Sequence, residues 1–312
     1  MNIGLIQLLQ EDKHPAPAGH PESAHRIKPA LEHVLSSDIS KNIRIIRPEP
    51  VETDLVYKVH DKDYLERARS VAEGGGGYLD GDTYMMPGSY EAAMETASAA
   101  IYAVDSIMSG DGKRIFFAGR PPGHHAEYSH GMGFCVINNT ALAAEAFIER
   151  HNLNKIAIVD WDVHHGNGTQ HHFYDRADVY FISLHQYPFY PGSGASTERG
   201  RGEGEGFTLN FPMPAGSDDA SYARAFEETI VPELEKFKPQ AVIITSGFDA
   251  HREDPLASIL LSEDAYTLMT RHLTGIADKY SRGRILSFFE GGYNPSSNAR
   301  SLYNHLKELQ ED

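Results

Sequence analysis

Short apolar runs rich in β-branched and aromatic residues recur along the chain. Runs without polar interruptions are typical of strands buried on both faces of a parallel sheet. The apolar N-terminal stretch is too short for a membrane span and lacks the features of a signal peptide, so we expect a first strand there. The other predicted strands cover residues 114–118, 155–160, 179–185, 241–246 and 284–289.

Longer amphipathic stretches lie between several of these runs and predict helices. Alternating strands and helices are typical of α/β folds. We therefore expect one domain over residues 1–312, with a central, mainly parallel sheet and helices on both of its faces. In such folds the functional site forms beyond the carboxyl ends of the strands. The predicted helices cover residues 89–108, 139–150, 218–237, 263–280 and 298–309.

Composition narrows the classes of function. A hydrophobic content of 40% is sufficient for a large core, and no apolar run reaches the roughly 18 residues of a membrane span. The net charge of −16 argues against sequence-independent nucleic-acid binding, which requires a basic surface. The single cysteine, Cys135, is expected in the core, and a reducing, cytoplasmic compartment is the expected location. The 17 histidines, several in adjacent pairs, raise the prospect of a metal or acid–base site.

Polar, titratable side chains follow four of the predicted strands, where each strand ends. Asp162 and His164 are two residues apart, so in an extended segment both would point to the face that Asp160 also shares. Asp249 follows another strand and is the natural third ligand of a catalytic zinc site, which leaves one position open. An aspartate at a strand end is also a common turn residue. Several buried carboxylates, however, repel each other unless a cation is present.

Two further motifs offer groups for catalysis. His124 and His125 follow a Pro–Pro–Gly turn, and one of them could accept a proton from water and return it to a leaving amine. Metal ligation or a structural role is the alternative. Tyr293 follows Gly291 and Gly292, whose backbone freedom could present its hydroxyl to a developing oxyanion. A loop tyrosine that only packs is the alternative.

The motifs PPGHH, DWDVHHGNG, SLHQYPFYPG, SGFDAHREDP and EGGYN occur in this order. With them, the chain resembles the zinc-dependent histone deacetylase family, which includes bacterial acetylpolyamine amidohydrolases. The resemblance extends from His20 to Tyr293 and so covers nearly the whole chain. It implies a single-domain arginase/deacetylase-type α/β fold and one Zn²⁺ per chain, held by Asp162, His164 and Asp249.

The resemblance also implies catalytic roles. His125 would be the general base and acid, with His124 as its electrostatic partner. Asp160 would hydrogen-bond to His124, and Asn167 would hold His125. Asparagine at position 167 is similar to the class II branch of the family. Tyr293 would donate a hydrogen bond to the oxyanion.

Substrate-contacting residues are implied in the same way. Phe134 and Tyr190 would be the walls of a narrow acyl-lysine tunnel, next to Gly133. The family usually has phenylalanine where this chain has Tyr190. Leu256 would lie at the rim, where specialised eukaryotic polyamine deacetylases carry glutamate. Asp82 would contact the substrate, with a solvated loop aspartate as the alternative.

Two inner sites complete the set that the resemblance implies. Arg26 would line an internal channel for acetate exit. A monovalent cation, with K⁺ as the structural ion, would be held by Asp160, Asp162, His164, Ser183 and Leu184.

The expected function is zinc-dependent hydrolysis of an acyl amide, with acetyl as the expected acyl group. The substrate would be acetylated lysine in a peptide or protein, or an acetylpolyamine, without a nucleic-acid or membrane partner; a homo-oligomer stays open. A binuclear manganese ureohydrolase is one alternative, but Gly166 and His251 stand where its further ligands would be needed. A non-catalytic protein that binds acylated amines is the other, and it would not need the histidine pair or Tyr293.

Overall fold

An eight-stranded sheet forms the centre of the computed structural model, which describes residues 2–310. Its strands are β1 (Ile3–Leu8), β2 (Ile43–Ile45), β5 (Arg114–Gly119), β6 (Ile156–Asp160), β7 (Val179–Gln186), β8 (Thr208–Met213), β9 (Ala241–Ser246) and β10 (Ile285–Phe289), while β3 (Gly77–Tyr78) and β4 (Tyr84–Met85) form a separate hairpin. The strand order is β2-β1-β5-β10-β9-β6-β7-β8. All neighbouring pairs in the large sheet are parallel, so its carboxyl ends lie along one edge.

Helices connect the strands, as expected for parallel strands. They are α1 (Lys28–Ser36), α2 (Val56–Val59), α3 (Lys62–Glu73), α4 (Ser89–Ser109), α5 (Asn139–Glu149), α6 (Asn167–Phe173), α7 (Asp219–Ala225), α8 (Val231–Phe237), α9 (Glu263–Tyr280) and α10 (Pro295–Gln310). A π-helical turn, Phe226–Ile230, joins α7 to α8. Within residues 2–310, no helix is both long and apolar enough to cross a bilayer.

Two hydrophobic cores cover the two faces of the sheet. In β6, Ala157 and Val159 belong to one core, and the alternating residues Ile156 and Ile158 belong to the other. The first core includes apolar residues of α1, α9 and α10, whereas the second includes those of α3, α4 and α5. Burial on both faces explains why the central strands are continuous apolar runs. The predicted parallel sheet with helices on both faces is therefore confirmed.

Differences from the predicted elements occur mainly at the edges of the sheet. The strands β2 and β8 lie at its two ends and are not among the predicted strands. β8 has alternating burial and contains Pro212, and β2 has only three residues, so neither has the pattern of a buried central strand. The helix predicted over 218–237 is divided by the π-helical turn. Helix α10 begins at Pro295, three residues before the prediction.

Candidate active site

The loop that follows β6 carries three of the predicted site residues. Asp160 Oδ1 accepts a hydrogen bond from the Asp162 amide at 3.1 Å, and Asp162 Oδ1 accepts one from the His164 amide at 2.9 Å. Both contacts span two residues, which is typical of aspartate turns. The strand ends at Asp160, so the expectation of an extended segment as far as His164 is wrong. The turns nevertheless direct Asp162 and His164 towards each other.

Asp162, His164 and Asp249 form a compact group in which one ligand atom from each lies within 4.8 Å of the others. His164 Nδ1 is 3.1 Å from Asp162 Oδ1 and 3.3 Å from Asp249 Oδ2. Burial alone would lower the pKa of His164, but the carboxylates of Asp162 and Asp249 outweigh it and raise that pKa to about 9. The two carboxylates therefore favour a positive charge between them.

Glycines leave room for these carboxylates. A Cβ at Gly247 would lie 2.2 Å from Asp162 Oδ2, and a Cβ at Gly291 would lie 1.9 Å from Asp249 Oδ2. Asp249 Oδ2 is buried and receives no hydrogen bond among the described residues, which fits an oxygen that binds a cation. Two carboxylates and one imidazole are a ligand set that suits a catalytic divalent ion with an open position. The residues present therefore fit the expected metal.

The histidine pair lies directly beside this group. His124 Nδ1 is 3.0 Å from Asp160 Oδ2, and His125 Nδ1 is 2.7 Å from Asn167 Oδ1. Burial would lower the pKa of His124, but Asp162 and Asp160 raise it to about 10. Burial, His124 and His164 hold the pKa of His125 well below its ordinary value. The pKa values of the two adjacent rings are therefore shifted in opposite directions, which favours the charged form of His124 and the neutral form of His125.

Glu290 holds the turn that carries the pair, a role that the sequence did not indicate. Its buried Oε2 accepts hydrogen bonds from the amides of Gly123 at 2.8 Å and His124 at 3.4 Å. Burial raises the pKa of Glu290 to about 7, against the opposing effect of His124. Cys135 is buried as expected, and its thiol is close to His124 and Glu290.

A cavity of about 260 Å³ leads to these groups. Tyr190 stands edge-on to His125, with 5.2 Å between the ring centres. Phe134 stands edge-on to Tyr293 at 6.1 Å. Gly133 is needed because its Cβ would lie 2.4 Å from the His125 ring. The structure thus brings together all the residues that the sequence assigned to the substrate tunnel. The cavity is lined by Asp82, His125, Gly133, Phe134, His164, Tyr190, Leu256 and Tyr293.

Asp254 fixes the backbone on two sides of this cavity. Its Oδ2 accepts a hydrogen bond from the Tyr293 amide at 2.7 Å, and its Oδ1 accepts one from the Leu256 amide at 3.0 Å. Burial and the charge of Asp249 raise the pKa of Asp254 to about 7. In the sequence, Asp254 stands out only as part of the SGFDAHREDP motif. Its position directly before Pro255 gave no indication of this contact.

The residues expected to line the exit channel and to hold the monovalent cation are mostly buried near the cavity. Arg26 is buried, donates to the Glu290 carbonyl at 2.5 Å, and lies 5.5 Å from the Tyr293 ring centre. Ser183 is paired with Asp160 in the register of β6 and β7, with Leu184 next along the strand. The structure thus places both sets close to the candidate metal group, and their roles stay predictions.

Comparisons with known proteins identify a family and several relatives of this chain. The histone deacetylase domain family matches residues 20–309. A histone deacetylase-like amidohydrolase from Pseudomonas aeruginosa is 40% identical over 89% of this chain and 74% of its own length. A probable deacetylase from Archaeoglobus fulgidus is 38% identical over 94% of this chain and 82% of its own length.

A solved structure resembles the whole fold. The crystal structure of the HDA15 HD domain superposes with a TM-score of 0.91 at 33% identity, covering 99% of this chain and 88% of that one. The expected deacetylase-type fold is thereby confirmed. On the domain match and the identity to these relatives, the chain belongs to the histone deacetylase family.

Proposed function

We propose that this protein hydrolyses an acyl amide, with acetyl as the acyl group, on a lysine side chain or a polyamine, using one Zn²⁺ per chain. Membership of the family supports a hydrolase of this kind. The observation that carries the proposal is the cavity lined by both His125 and Tyr293, which ends at the group of Asp162, His164 and Asp249. A base, a hydroxyl donor and a cation-binding group thus meet at one place.

The chain's own residues divide the reaction between them. His125 Nδ1 faces the Asn167 oxygen, so its Nε2 is free to accept a proton from the attacking water and to return it to the leaving nitrogen. Tyr293 donates a hydrogen bond to the oxyanion as it develops. The cationic ring of His124 offsets the negative charge of Asp160 and Asp162.

The three candidate metal ligands hold the source of Lewis acidity, which the side chains of His125, Tyr293 and His124 do not supply. A divalent ion held by Asp162, His164 and Asp249 supplies Lewis acidity towards water and the amide carbonyl. The proposal also includes the two inner sites. Arg26 guides the carboxylate product away as a buried cation, and the backbone at Ser183 and Leu184 contributes to a K⁺ site. Asp82 and Leu256 contact the part of the substrate outside the tunnel.

The alternative as a binuclear ureohydrolase is disfavoured by the position of His251. Its Nδ1 accepts a hydrogen bond from the Glu253 amide, and its Nε2 lies 3.5 Å from Glu263. Its ring is therefore engaged away from the group around Asp249. Gly166 cannot be replaced by a ligand without displacing Asp160, because a Cβ there would lie 2.3 Å from Asp160 Oδ2.

The test is a side-by-side assay of the zinc-loaded protein on an acetyl-lysine peptide, acetylputrescine and acetylspermidine, with kcat/KM for each. Chelator-treated protein, before and after zinc is restored, is the control. We expect acetate release that disappears with chelation and returns with about one ion per chain. A preference for the peptide would assign a lysine deacetylase, and a preference for the polyamines a small-molecule amidohydrolase. Release of no acetate from any of the substrates would refute the proposal.

A further inference from the structure

The side-chain amide of Asn167 contacts His125 at one end and Glu127 at the other. A side-chain amide has an acceptor end and a donor end, and either end can face a neighbour. In the structure Asn167 Oδ1 faces His125 Nδ1 at 2.7 Å. The Asn167 Nδ2 group donates to Glu127 Oε1 and, at 3.3 Å, to the His125 carbonyl. An ionised carboxylate only accepts, so Glu127 accommodates the donor end of the amide and excludes the opposite orientation.

We propose that Glu127 is a positioning residue for His125: by accepting from the Asn167 amide it fixes which end of the amide faces the ring, and thereby keeps the proton of His125 on Nδ1. The inference rests on the proposed function, in which His125 Nε2 accepts a proton from water. With the amide reversed, the Asn167 donor would favour the proton on Nε2, and that nitrogen would no longer be a base.

The surroundings hold Glu127 in place for this role. Its amide donates to the His130 carbonyl at 2.9 Å, and its carbonyl is 2.8 Å from Nδ1 of the buried His60. His171 Nδ1 lies 2.7 Å from Glu127 Oε1. The Glu127 side chain is 13% exposed, whereas His171 is 54% exposed. A fixed carboxylate thus links the buried base, through one amide, to a histidine near the surface.

Helix α6 brings the members of this chain of hydrogen bonds together. It begins at Asn167, and the amides of Gly168 and Thr169 donate to the His124 carbonyl. A Cβ at Gly168 would lie 2.2 Å from the Ala126 carbonyl oxygen. The glycine therefore lets the start of the helix approach the segment that carries both His125 and Glu127.

Exchanging the amide and the carboxylate between positions 167 and 127 provides the sharpest test. Asn167→Asp alone would place two carboxylates against each other beside His125 and should lower kcat/KM. Adding Glu127→Gln restores one donor and one acceptor, with the acceptor again facing His125. We expect the double variant to be about twofold to 150-fold more active than Asn167→Asp, which corresponds to the interaction energies found for residues in direct contact. A double variant no more active than Asn167→Asp would overturn the proposal.

A direct readout of the proton separates this inference from the proposed reaction. Nitrogen-15 NMR of the zinc-loaded protein, with His125 assigned by its replacement, reports which ring nitrogen carries hydrogen without any substrate. We expect Nδ1–H in the wild type, and a measurable Nε2–H fraction in Glu127→Met with a lower kcat and a similar KM. Unchanged Nδ1–H in a folded Glu127→Met would refute the role of Glu127, even if the wild type shows no turnover.

Glu145→Gln is the matched control. Like Glu127, Glu145 is a glutamate that contacts a histidine of α6, since its Oε1 lies 2.8 Å from His172 Nε2. It has no contact with Asn167 or His125 among the described residues. The control therefore reports any general effect of losing an acidic partner of α6. A change in the His125 tautomer in Glu145→Gln would contradict the specific role of Glu127.

Discussion

Tyr293 is held in the cavity by contacts that do not use its hydroxyl. Its amide donates to Asp254, its ring stands edge-on to Phe134, and the Arg26 guanidinium lies 5.5 Å from its ring centre. Burial and the charge of Asp249 raise the pKa of Tyr293 well above its ordinary value. The hydroxyl therefore stays protonated and can act as a hydrogen-bond donor over the whole working range of pH.

We expect Tyr293→Phe to fold normally, bind zinc and lose activity. Phenylalanine keeps the ring and backbone contacts, whereas the donor to the oxyanion is lost. Loss of one such donor typically costs about 10²–10³ in turnover. The measurement is kcat with the preferred acetylated substrate, together with the zinc content and the thermal midpoint. Activity close to that of the wild type would exclude Tyr293 as the oxyanion donor.

At the scale of single residues, the candidate ligands could be predicted because each lies within four residues of the end of a strand. Asp162, His164 and Asp249 needed only the rule that parallel strands end at one edge. Glu127 and Asp254 could not be found this way. Their partners, Asn167 and Tyr293, are 40 and 39 residues away and lie on other segments. Only the packed loops reveal which carboxylate accepts from which amide.

The loop between β10 and α10 approaches the metal group so closely that a side chain at Gly291 would not fit. We expect Gly291→Ala to displace Asp249 and to weaken zinc binding, because the new Cβ would lie 1.9 Å from Asp249 Oδ2. Zinc titration of the metal-free protein, followed by the rise in thermal midpoint, measures the effect. Binding to the folded state at a thousand times Kd is worth about 4 kcal/mol, so a weaker site gives a smaller rise.

Gly275→Ala is the control for this prediction. Gly275 lies in α9, and apart from its chain neighbours and the adjacent backbone of its own helix no heavy atom lies within 4 Å of a Cβ built there. Alanine in a helix interior is more stable than glycine by about 1 kcal/mol. We therefore expect a slightly higher thermal midpoint and the wild-type rise with zinc. If both variants respond to zinc alike, the close approach at Gly291 is not required for the metal group.

Helices α5 and α6 are joined by a buried acidic residue. Glu145 of α5 contacts His172 of α6 at 2.8 Å and also binds Arg176. Burial alone would raise the pKa of Glu145, but His172 and Arg176 outweigh it and hold that pKa at about 2. A carboxylate with a lowered pKa in the folded state stabilises the fold above its unfolded pKa. That contribution is lost as pH falls from about 4.5 towards 2.

We therefore expect Glu145→Gln to lower the free energy of unfolding at pH 7, with a difference from the wild type that shrinks below pH 4.5. The lowered pKa corresponds to roughly 3 kcal/mol at neutral pH. Urea unfolding at a series of pH values, down to the lowest at which both proteins fold, measures the difference. A difference that is constant across this range would show that the charge of Glu145 does not contribute.

The order of the strands brings the parts of the candidate site together along one stretch of the sheet edge. The strands β5, β10, β9 and β6 are consecutive in the sheet, and their carboxyl ends carry four of the five motifs recognised in the sequence. The alternation of elements predicted a parallel sheet but not this order. For example, Ile285 of β10 is paired with Arg114 of β5, although more than half of the chain's length separates the two residues in sequence. Local hydrophobicity reports that a strand is buried and contains no information about which strand lies beside it.

The net charge of −16 acts on every substrate that approaches this site. An acidic surface attracts cations, and the attraction is screened as the Debye length falls from about 10 Å at 0.1 M salt to about 3 Å at 1 M. Asp82 adds a carboxylate on the cavity wall itself. We expect kcat/KM for an acetyl-lysine peptide with flanking arginines to fall several-fold as salt increases.

A peptide of the same length with citrulline in place of arginine isolates the charge, because the two side chains have nearly the same shape. Its kcat/KM should change little with salt. The variant Asp82→Asn should reduce the preference for the cationic peptide at low salt while leaving the citrulline peptide unaffected. If both peptides respond equally to salt, the charge of the molecule does not guide substrates, and shape at the rim around Leu256 must decide between them.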